Sequence, residues 1–160
     1  LKITGRIKEQ YKLENGKYVV PAPLEDMICR SRFVLQSFIY GDNKPHNICL
    51  VVPDMVELNT WAKGKGLIEN DIPAGNQDAI SELLSMDEVI SLLADEISYA
   101  SRNMKGFERP TRWSFVPEPF TQENQMLTPK MSLRRKGVME AYSDKVEDVY
   151  SNNAGYLVNQ

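Results

Sequence analysis

The hydrophobic and polar pattern near the start of the chain predicts a β-hairpin. Residues 7–13 and 17–20 can both form strands, and Glu14-Asn15-Gly16 separates them. Asn-Gly is the strongest short-range signal for a hairpin turn because both residues tolerate positive φ. We therefore predict a tight hairpin whose tip is formed by residues 14–16.

A helix is predicted directly after the hairpin. Pro21 and Pro23 set φ for helix entry, and apolar residues follow at the spacing of one helical face. Glu25 and Asp26 are predicted to lie in the first turn, where the helix dipole favours anions.

Two runs of β-branched and aromatic residues predict neighbouring core strands. They cover residues 33–40 and 48–52, with a turn-rich segment between them. Asp54 is expected to cap a helix over residues 56–63. Residues 64–76 contain three glycines and a proline, which predicts a loop.

The next part of the chain predicts two helices followed by a strand. A short helix covers residues 78–84. The capping-box residues Ser85 and Glu88 then open a long helix that Gly106 closes. Its uninterrupted apolar stripe indicates a core-facing helix, and a strand over 112–116 follows.

The C-terminal part predicts an irregular connection, a helix and a polar tail. The connection covers residues 119–128, the helix begins at Leu133, and the tail from Ser151 is expected to fray. The element order predicts an α+β fold, in which helices flank an antiparallel or mixed sheet.

Composition and charge narrow the possible partners. The chain has 160 residues, of which 42% are apolar, and this predicts a single domain over residues 1–160 with its own core. The net charge of -3 gives no general attraction to nucleic acid, so any anion site must be local. No apolar run approaches the roughly 18 residues of a transmembrane segment, and no leader opens the chain.

The cysteines and the histidine predict neither a disulfide scaffold nor a metal site. Cys29 and Cys49 lack metal-ligand spacing, and we interpret them as buried thiols in a reducing compartment. This favours a cytoplasmic protein, with a membrane-peripheral position of a longer enzyme left open. His46 lies in a turn-rich segment and is predicted to be a surface residue without a role.

The hairpin carries the most informative residues. Arg6, Lys8, Lys12 and Lys17 place four cations on or beside it, which fits either an anion site or a solvated surface. The sequence Arg-x-Lys-Glu and the later Leu-Glu-Asn-Gly-Lys-x-Val-x-Pro-x-Pro-Leu-Glu resemble the loop that opens the C-terminal domain of adenylate-forming enzymes. This family includes acyl-CoA synthetases, peptide-synthetase adenylation domains and luciferases.

A second block of resemblance lies in residues 107–136. Its aromatic strand, Pro-x-x-Phe-Thr, Glu-Asn pair, Leu-Thr-Pro loop and final basic residues are similar to the end of long-chain fatty acyl-CoA synthetases. Residues 64–84 have no counterpart in the resemblance. The first residue is Leu1, and the hairpin motif begins almost at once, so we expect a piece of a larger enzyme.

The resemblance implies a lid domain of an acid-thiol ligase, a long-chain fatty acid-CoA ligase. In such enzymes, ATP and a fatty acid give an acyl-adenylate and pyrophosphate; the lid then rotates, and the CoA thiol forms the thioester and releases AMP. ATP and CoA are therefore the implied substrates. The implied partner is a larger N-terminal adenylation domain, absent from this chain, which would also hold Mg²⁺. The isolated chain should have little or no activity.

The resemblance also implies roles for individual hairpin residues. Arg6 matches the arginine that helps hold the nucleotide, and Lys8 matches the hinge residue. Lys12 matches a lysine that serves the second step in luciferase-like members. Gly16 lies where the backbone approaches the pantetheine arm of CoA, and Lys17 either touches CoA or is solvated.

One position departs from the family pattern. Aligning the Thr-Pro and Arg-Arg pairs puts Ser132 where the adenylation lysine is expected. We hypothesise that Lys130, on the same loop, takes its place. Lys136 is a poorer candidate because it is predicted to lie within a helix, and Arg134 is the remaining alternative.

Two other functions stay open at this point. Another adenylate-forming enzyme is one, although the Ser/Thr-Gly-Lys ending of peptide-synthetase domains and luciferases is not found here. The other is a free-standing α+β binding module that uses the hairpin to hold a nucleotide or a protein partner.

Overall fold

A computed structural model gives the arrangement of most of the chain. It describes residues 10–73, 75–116, 118–130, 132–151 and 155–158. Two predicted site residues, Arg6 and Lys8, lie outside these residues, as do the strand predicted before the hairpin and the start of the first hairpin strand.

The described residues form six strands and five helices. The strands are β1 (Tyr11–Lys12), β2 (Tyr18–Val19), β3 (Val34–Tyr40), β4 (Asn47–Pro53), β5 (Pro110–Phe115) and β6 (Tyr156–Leu157). The helices are α1 (Pro21–Ile28), α2 (Met55–Gly64), α3 (Gln77–Leu84), α4 (Asp87–Ala100) and α5 (Arg135–Tyr150).

The main sheet is mixed and has four strands in the order β3-β4-β5-β6. β4 is antiparallel to β3 and parallel to β5, and β6 is antiparallel to β5. Every residue of β4 is buried, as expected for a central strand covered on both faces. The α+β prediction is confirmed. Of the two predicted kinds of sheet, antiparallel and mixed, the sheet is mixed.

Two hydrophobic clusters provide the core. The first includes Ile28 of α1 and Leu93 and Ile97 of α4. The second includes Phe38 of β3 and Val146 of α5. Because the two clusters enclose the sheet within this chain, we expect the chain to fold as a unit.

The hairpin is confirmed, with a second strand that is shorter than predicted and one changed detail. The Gly16 N–H donates to the Leu13 carbonyl at 2.9 Å, and the Leu13 N–H donates to the Lys17 carbonyl at 2.9 Å. Gly16 has φ +89, whereas Asn15 is not among the residues with positive φ. The Asn15 carboxamide instead accepts from the Lys17 N–H at 2.9 Å, so only the glycine provides the left-handed position.

Three helix-end predictions are wrong. The first turn of α1 holds no acidic residue; Glu25 lies one turn further on and is buried. The proposed capping box of α4 is not formed: the N-cap is Met86, and the Ser85 hydroxyl donates to the Glu82 carbonyl at 2.7 Å. The third error concerns the end of α4. This helix ends at Ala100 and not at Gly106, and turns follow between the two residues.

The tail differs from the predicted frayed end. β6 pairs with β5, and Val158 is only 5% exposed. Arg112 holds the segment in place by donating to the Val149 carbonyl at 3.1 Å and to the Gly155 carbonyl at 3.2 Å. A two-residue strand gives no periodic signal, so the sequence could not indicate this pairing.

The histidine and one of the two cysteines differ from their predicted burial. His46 is half-buried, with its Nδ1 2.6 Å from the Thr111 hydroxyl, so the surface assignment is wrong. Both cysteines are free; Cys49 is buried as predicted, but Cys29 is only half-buried. Burial raises the pKa of both thiols.

A glycine at the start of the turn after β3 leads to a stability prediction. A Cβ added at Gly41 would lie 2.1 Å from Asn47 Oδ1 and 3.0 Å from a Leu13 methyl group. We expect Gly41→Ala to destabilise the chain by about 1–3 kcal/mol through overpacking, measured by urea unfolding. Gly64→Ala is the control, because a Cβ there meets no atom within 4 Å. Equal stability of the two variants would contradict this account of the turn.

Candidate functional site

The hairpin is fixed to the main sheet through a buried asparagine. The Tyr11 hydroxyl donates to Asn47 Oδ1 at 2.5 Å, and Asn47 Nδ2 donates to the Glu108 carbonyl at 2.8 Å. Asn47 is fully buried. Burial, reinforced by the nearby Tyr150, raises the pKa of Tyr11, so the phenol stays protonated and can donate. The hairpin therefore has a defined position relative to the sheet.

The two described hairpin lysines are exposed and differ in their surroundings. Lys12 Nζ lies 6.0 Å from the centre of the Tyr18 ring. Lys17 Nζ lies 5.8 Å from the Phe107 ring centre, and Lys105 Nζ lies 5.9 Å from the same ring. The sequence did not indicate Lys105 and Phe107 as neighbours of the hairpin, because some 90 residues separate them from it. They add a second cation beside Lys17.

Gly16 occupies the tip of the hairpin. Its φ of +89 is a conformation that favours glycine. A Cβ added there would meet no atom within 4 Å. The surface beside the tip is therefore open to a ligand, and backbone conformation rather than local crowding accounts for the glycine.

The loop before α5 presents Lys130 at its apex. Leu127 and Leu133 form an isolated antiparallel bridge that closes the loop. Inside it, the Thr128 hydroxyl oxygen accepts from the N–H groups of Lys130 and Ser132, at 3.2 Å each. Among the described residues, the Lys130 ammonium has no ion-pair partner. The described residues of the loop are thus joined by hydrogen bonds, and Lys130 is exposed.

The other basic residues near this loop serve the fold or lie within α5. Arg134 donates from Nη1 to the Gln125 carbonyl at 2.6 Å, which joins the base of the loop to the preceding turn. Lys136 lies in the first turn of α5, as its sequence position predicted. Among Lys130, Arg134 and Lys136, Lys130 is therefore the residue that lies at the tip of the described loop.

A buried ion pair joins the loop region to the hairpin region. Arg135 contacts Glu25 through Nη2–Oε1 at 2.5 Å and Nη1–Oε2 at 2.8 Å, and Glu25 Oε2 also accepts from the Ile39 N–H at 2.8 Å. Burial raises the pKa of the Glu25 carboxyl, and the guanidinium and the Ile39 amide oppose this. The pair connects α1, β3 and α5. The sequence placed Glu25 in a motif and in the first turn of a helix, and it gave no indication of the pairing with Arg135.

A groove of about 650 Å³ runs between the hairpin and the start of α5. Its walls include Gln10 and Tyr11, next to Lys12 in sequence, and Arg135 and Lys136, which follow the Lys130 loop. Lys12 and Lys130 do not line it themselves. Within the described ranges, no hydrogen bond or ion pair joins Lys130 to the hairpin, so the candidate residues form two separate groups.

Two further observations concern metal binding and membrane spanning by the described residues. These residues include no group of three His, Cys, Asp or Glu side chains that could bind a metal ion. Over the same residues, no helix has the length and apolar character needed to cross a membrane.

The chain is similar to known proteins along much of its length. Residues 8–72 match the AMP-binding enzyme C-terminal domain family. In solved structures, the chain resembles the adenylation domain of a carboxylate reductase from Mycobacterium chelonae, with a TM-score of 0.69 and 23% identity over 89% of this chain and 19% of that one. A carboxylic acid reductase domain from Segniliparus rugosus, in complex with AMP and a carboxylic acid, gives a TM-score of 0.67 and 24% identity over 92% of this chain and 20% of that one. These identities support the shared fold alone.

The family match lies over the hairpin, α1 and the first two strands of the main sheet. The resemblance to the C-terminal domain of AMP-binding, adenylate-forming enzymes that was inferred from the hairpin motif is confirmed.

Curated relatives narrow this class to one branch. The chain is 31% identical over 155 residues to the peroxisomal long chain acyl-CoA synthetase 6 of Arabidopsis thaliana, covering 94% of the chain and 21% of that protein. It is 29% identical over 154 residues to human long-chain-fatty-acid–CoA ligase 1, covering 94% of the chain and 21% of that protein. The similarity to long-chain acyl-CoA synthetases is thus confirmed, and the chain spans about a fifth of the length of these relatives.

Proposed function

We propose that this chain is the mobile C-terminal lid of an ATP-dependent long-chain fatty acid-CoA ligase. Its similarity to the Arabidopsis synthetase along 94% of its length carries the proposal. The overall reaction converts a fatty acid, ATP and CoA into acyl-CoA, AMP and pyrophosphate through an acyl-adenylate. The larger N-terminal domain of the same polypeptide is the lid's partner and holds the fatty acid. The Mg²⁺ that the resemblance implies is assigned to that larger domain.

The first step uses the Lys130 loop in this proposal. Negative charge on the phosphate oxygens must be stabilised while the carboxylate displaces pyrophosphate, and a positioned cation lowers that barrier. Lys130 extends from a loop that Thr128 closes by hydrogen bonds. It can therefore replace the lysine that the family pattern expects at Ser132. Arg6 belongs to the same proposal as a nucleotide-binding residue.

The second step uses the hairpin. Gly16 leaves open space at the tip for the pantetheine arm, and Lys12 lies on the adjoining strand. Lys17 and Lys105 lie beside Phe107 and favour the anionic end of CoA. Because the hairpin and the Lys130 loop are separate segments, a rotation about Lys8 would bring each to one active site in turn.

Product formation by the full-length protein that carries this chain tests the proposed function. With ATP, palmitate and CoA, we expect palmitoyl-CoA and AMP, and no thioester from this chain alone. Benzoate and amino acids replace palmitate in parallel reactions and represent other adenylate-forming specificities. Thioester formation by the isolated chain, or activation of those acids but not of palmitate, would refute the proposal.

A further inference from the structure

A cleft lined by arginines lies at the end of α1 that is remote from the hairpin. It has a volume of about 430 Å³ and is formed where α1 and the C-terminal end of α4 meet. Its lining includes Arg30, Arg32 and Arg102, with Met27, Tyr99 and Glu96 between them. None of the cleft residues belongs to the hairpin, to the Lys130 loop or to the lining of the groove between the hairpin and α5.

The charge in the cleft contrasts with that of the whole chain. Three arginines and a single carboxylate, that of Glu96, line the cleft, although the chain has a net charge of -3. The Ser31 hydroxyl donates to Glu96 Oε1 at 2.6 Å, and this neutral donor leaves the carboxylate charge in place. The three arginines are exposed, so a local excess of positive charge lines an open cleft.

The arginines are partly held in place but retain donors. Arg102 stacks on the Tyr99 ring, with Cζ 3.7 Å from its centre, and donates from Nη1 to the Tyr99 carbonyl at 2.7 Å. Arg32 lies over Phe33, with Cζ 4.8 Å from the ring centre. Within the described residues, Arg30 has neither a hydrogen bond nor an ion pair through its side chain. Aromatic contacts limit the motion of two guanidinium groups without using their outward N–H groups.

A phosphate group matches these features better than a carboxylate does. It carries up to two negative charges and three acceptor oxygens, and arginine binds such oxygens through paired N–H donors. We propose that the cleft of Arg30, Arg32 and Arg102 binds a phosphate monoester. The ligand is either a soluble phosphate compound or the headgroup of an acidic phospholipid. This site does not rest on the proposed ligase activity, because it involves none of the residues assigned to that activity.

The experiment titrates inorganic phosphate into the chain at constant ionic strength, with the arginine Nε–H groups followed by NMR. Vesicles of phosphatidylcholine, with and without phosphatidic acid, test the lipid source in a parallel sedimentation assay. We expect signals of the cleft arginines to shift with phosphate, with phosphatidic acid vesicles, or with both. The vesicle result distinguishes the two sources. Absence of binding in both assays would overturn the proposal.

Three variants distinguish the cleft from general charge effects. The double variant Arg30→Gln/Arg32→Gln should weaken binding at least tenfold. Lys63→Gln/Lys65→Gln removes the same charge from α2 and its C-terminal cap and should change affinity less than twofold. Glu96→Gln should tighten binding about threefold by removing the opposing charge. Equal losses in the two double variants would refute the site, as would weaker binding by Glu96→Gln.

Discussion

Replacing Lys130 by alanine in the full-length protein is expected to lower ATP–pyrophosphate exchange by about 10²- to 10³-fold. This is the usual cost of removing one preorganised donor that stabilises transition-state charge. Since Thr128 holds the loop through backbone amides, alanine should leave the loop closed while removing the ammonium group. The loss should therefore appear in the rate of exchange and not in the stability of the chain.

Two variants control this expectation. Lys65→Ala removes an exposed charge next to the end of α2, away from the Lys130 loop in the chain, and should leave exchange unchanged. Arg134→Ala tests the remaining alternative, although its guanidinium is bound to the Gln125 carbonyl. Exchange within twofold of the unmodified protein in Lys130→Ala would show that Lys130 does not replace the missing lysine.

Replacing Glu25 by alanine should destabilise the chain by about 3–5 kcal/mol, the usual cost of breaking a buried ion pair. The Glu25 side chain is 7% exposed and that of Arg135 is 20% exposed, so solvent can replace the lost carboxylate only in part. The variant leaves a charged guanidinium against Phe38 and removes an acceptor from the Ile39 N–H. Urea unfolding of the chain measures the change.

The double variant Glu25→Ala/Arg135→Met tests whether the loss reflects an uncompensated charge. It removes both charges and keeps an apolar side chain at residue 135, so it should be more stable than Glu25→Ala alone. A single variant that loses less than about 1 kcal/mol would contradict the structural role of the pair. So would a double variant as unstable as the single one.

Features set by nearby residues could be predicted from the sequence. The Asn-Gly turn, the prolines in the first turn of α1 and the periodic apolar positions of α4 and α5 all depend on contacts within a few residues. Each gave the right type of element. Helix ends were less accurate: Ser85 had the right spacing for a capping box, but its hydroxyl bonds to the preceding turn.

Features that depend on distant residues could not be predicted. Glu25 and Arg135 are 110 positions apart, and no local pattern pairs them. The same reason applies to the contact of Lys17 with Phe107 and to the return of β6 beside β5. In the candidate site, the motif suggested which lysines to consider, and the folded chain added their exposure, their neighbours and the closed loop beneath Lys130.

The central claim is that one lid presents two different segments to one active site. The most direct test measures two half-reactions in the full-length protein: ATP–pyrophosphate exchange, and thioester formation from preformed acyl-adenylate and CoA. We predict that Lys130→Ala loses exchange but retains thioester formation, and that Lys12→Ala shows the reverse pattern. If both variants lose the same half-reaction, or neither variant changes either one, the assignment of the two segments to separate steps is wrong.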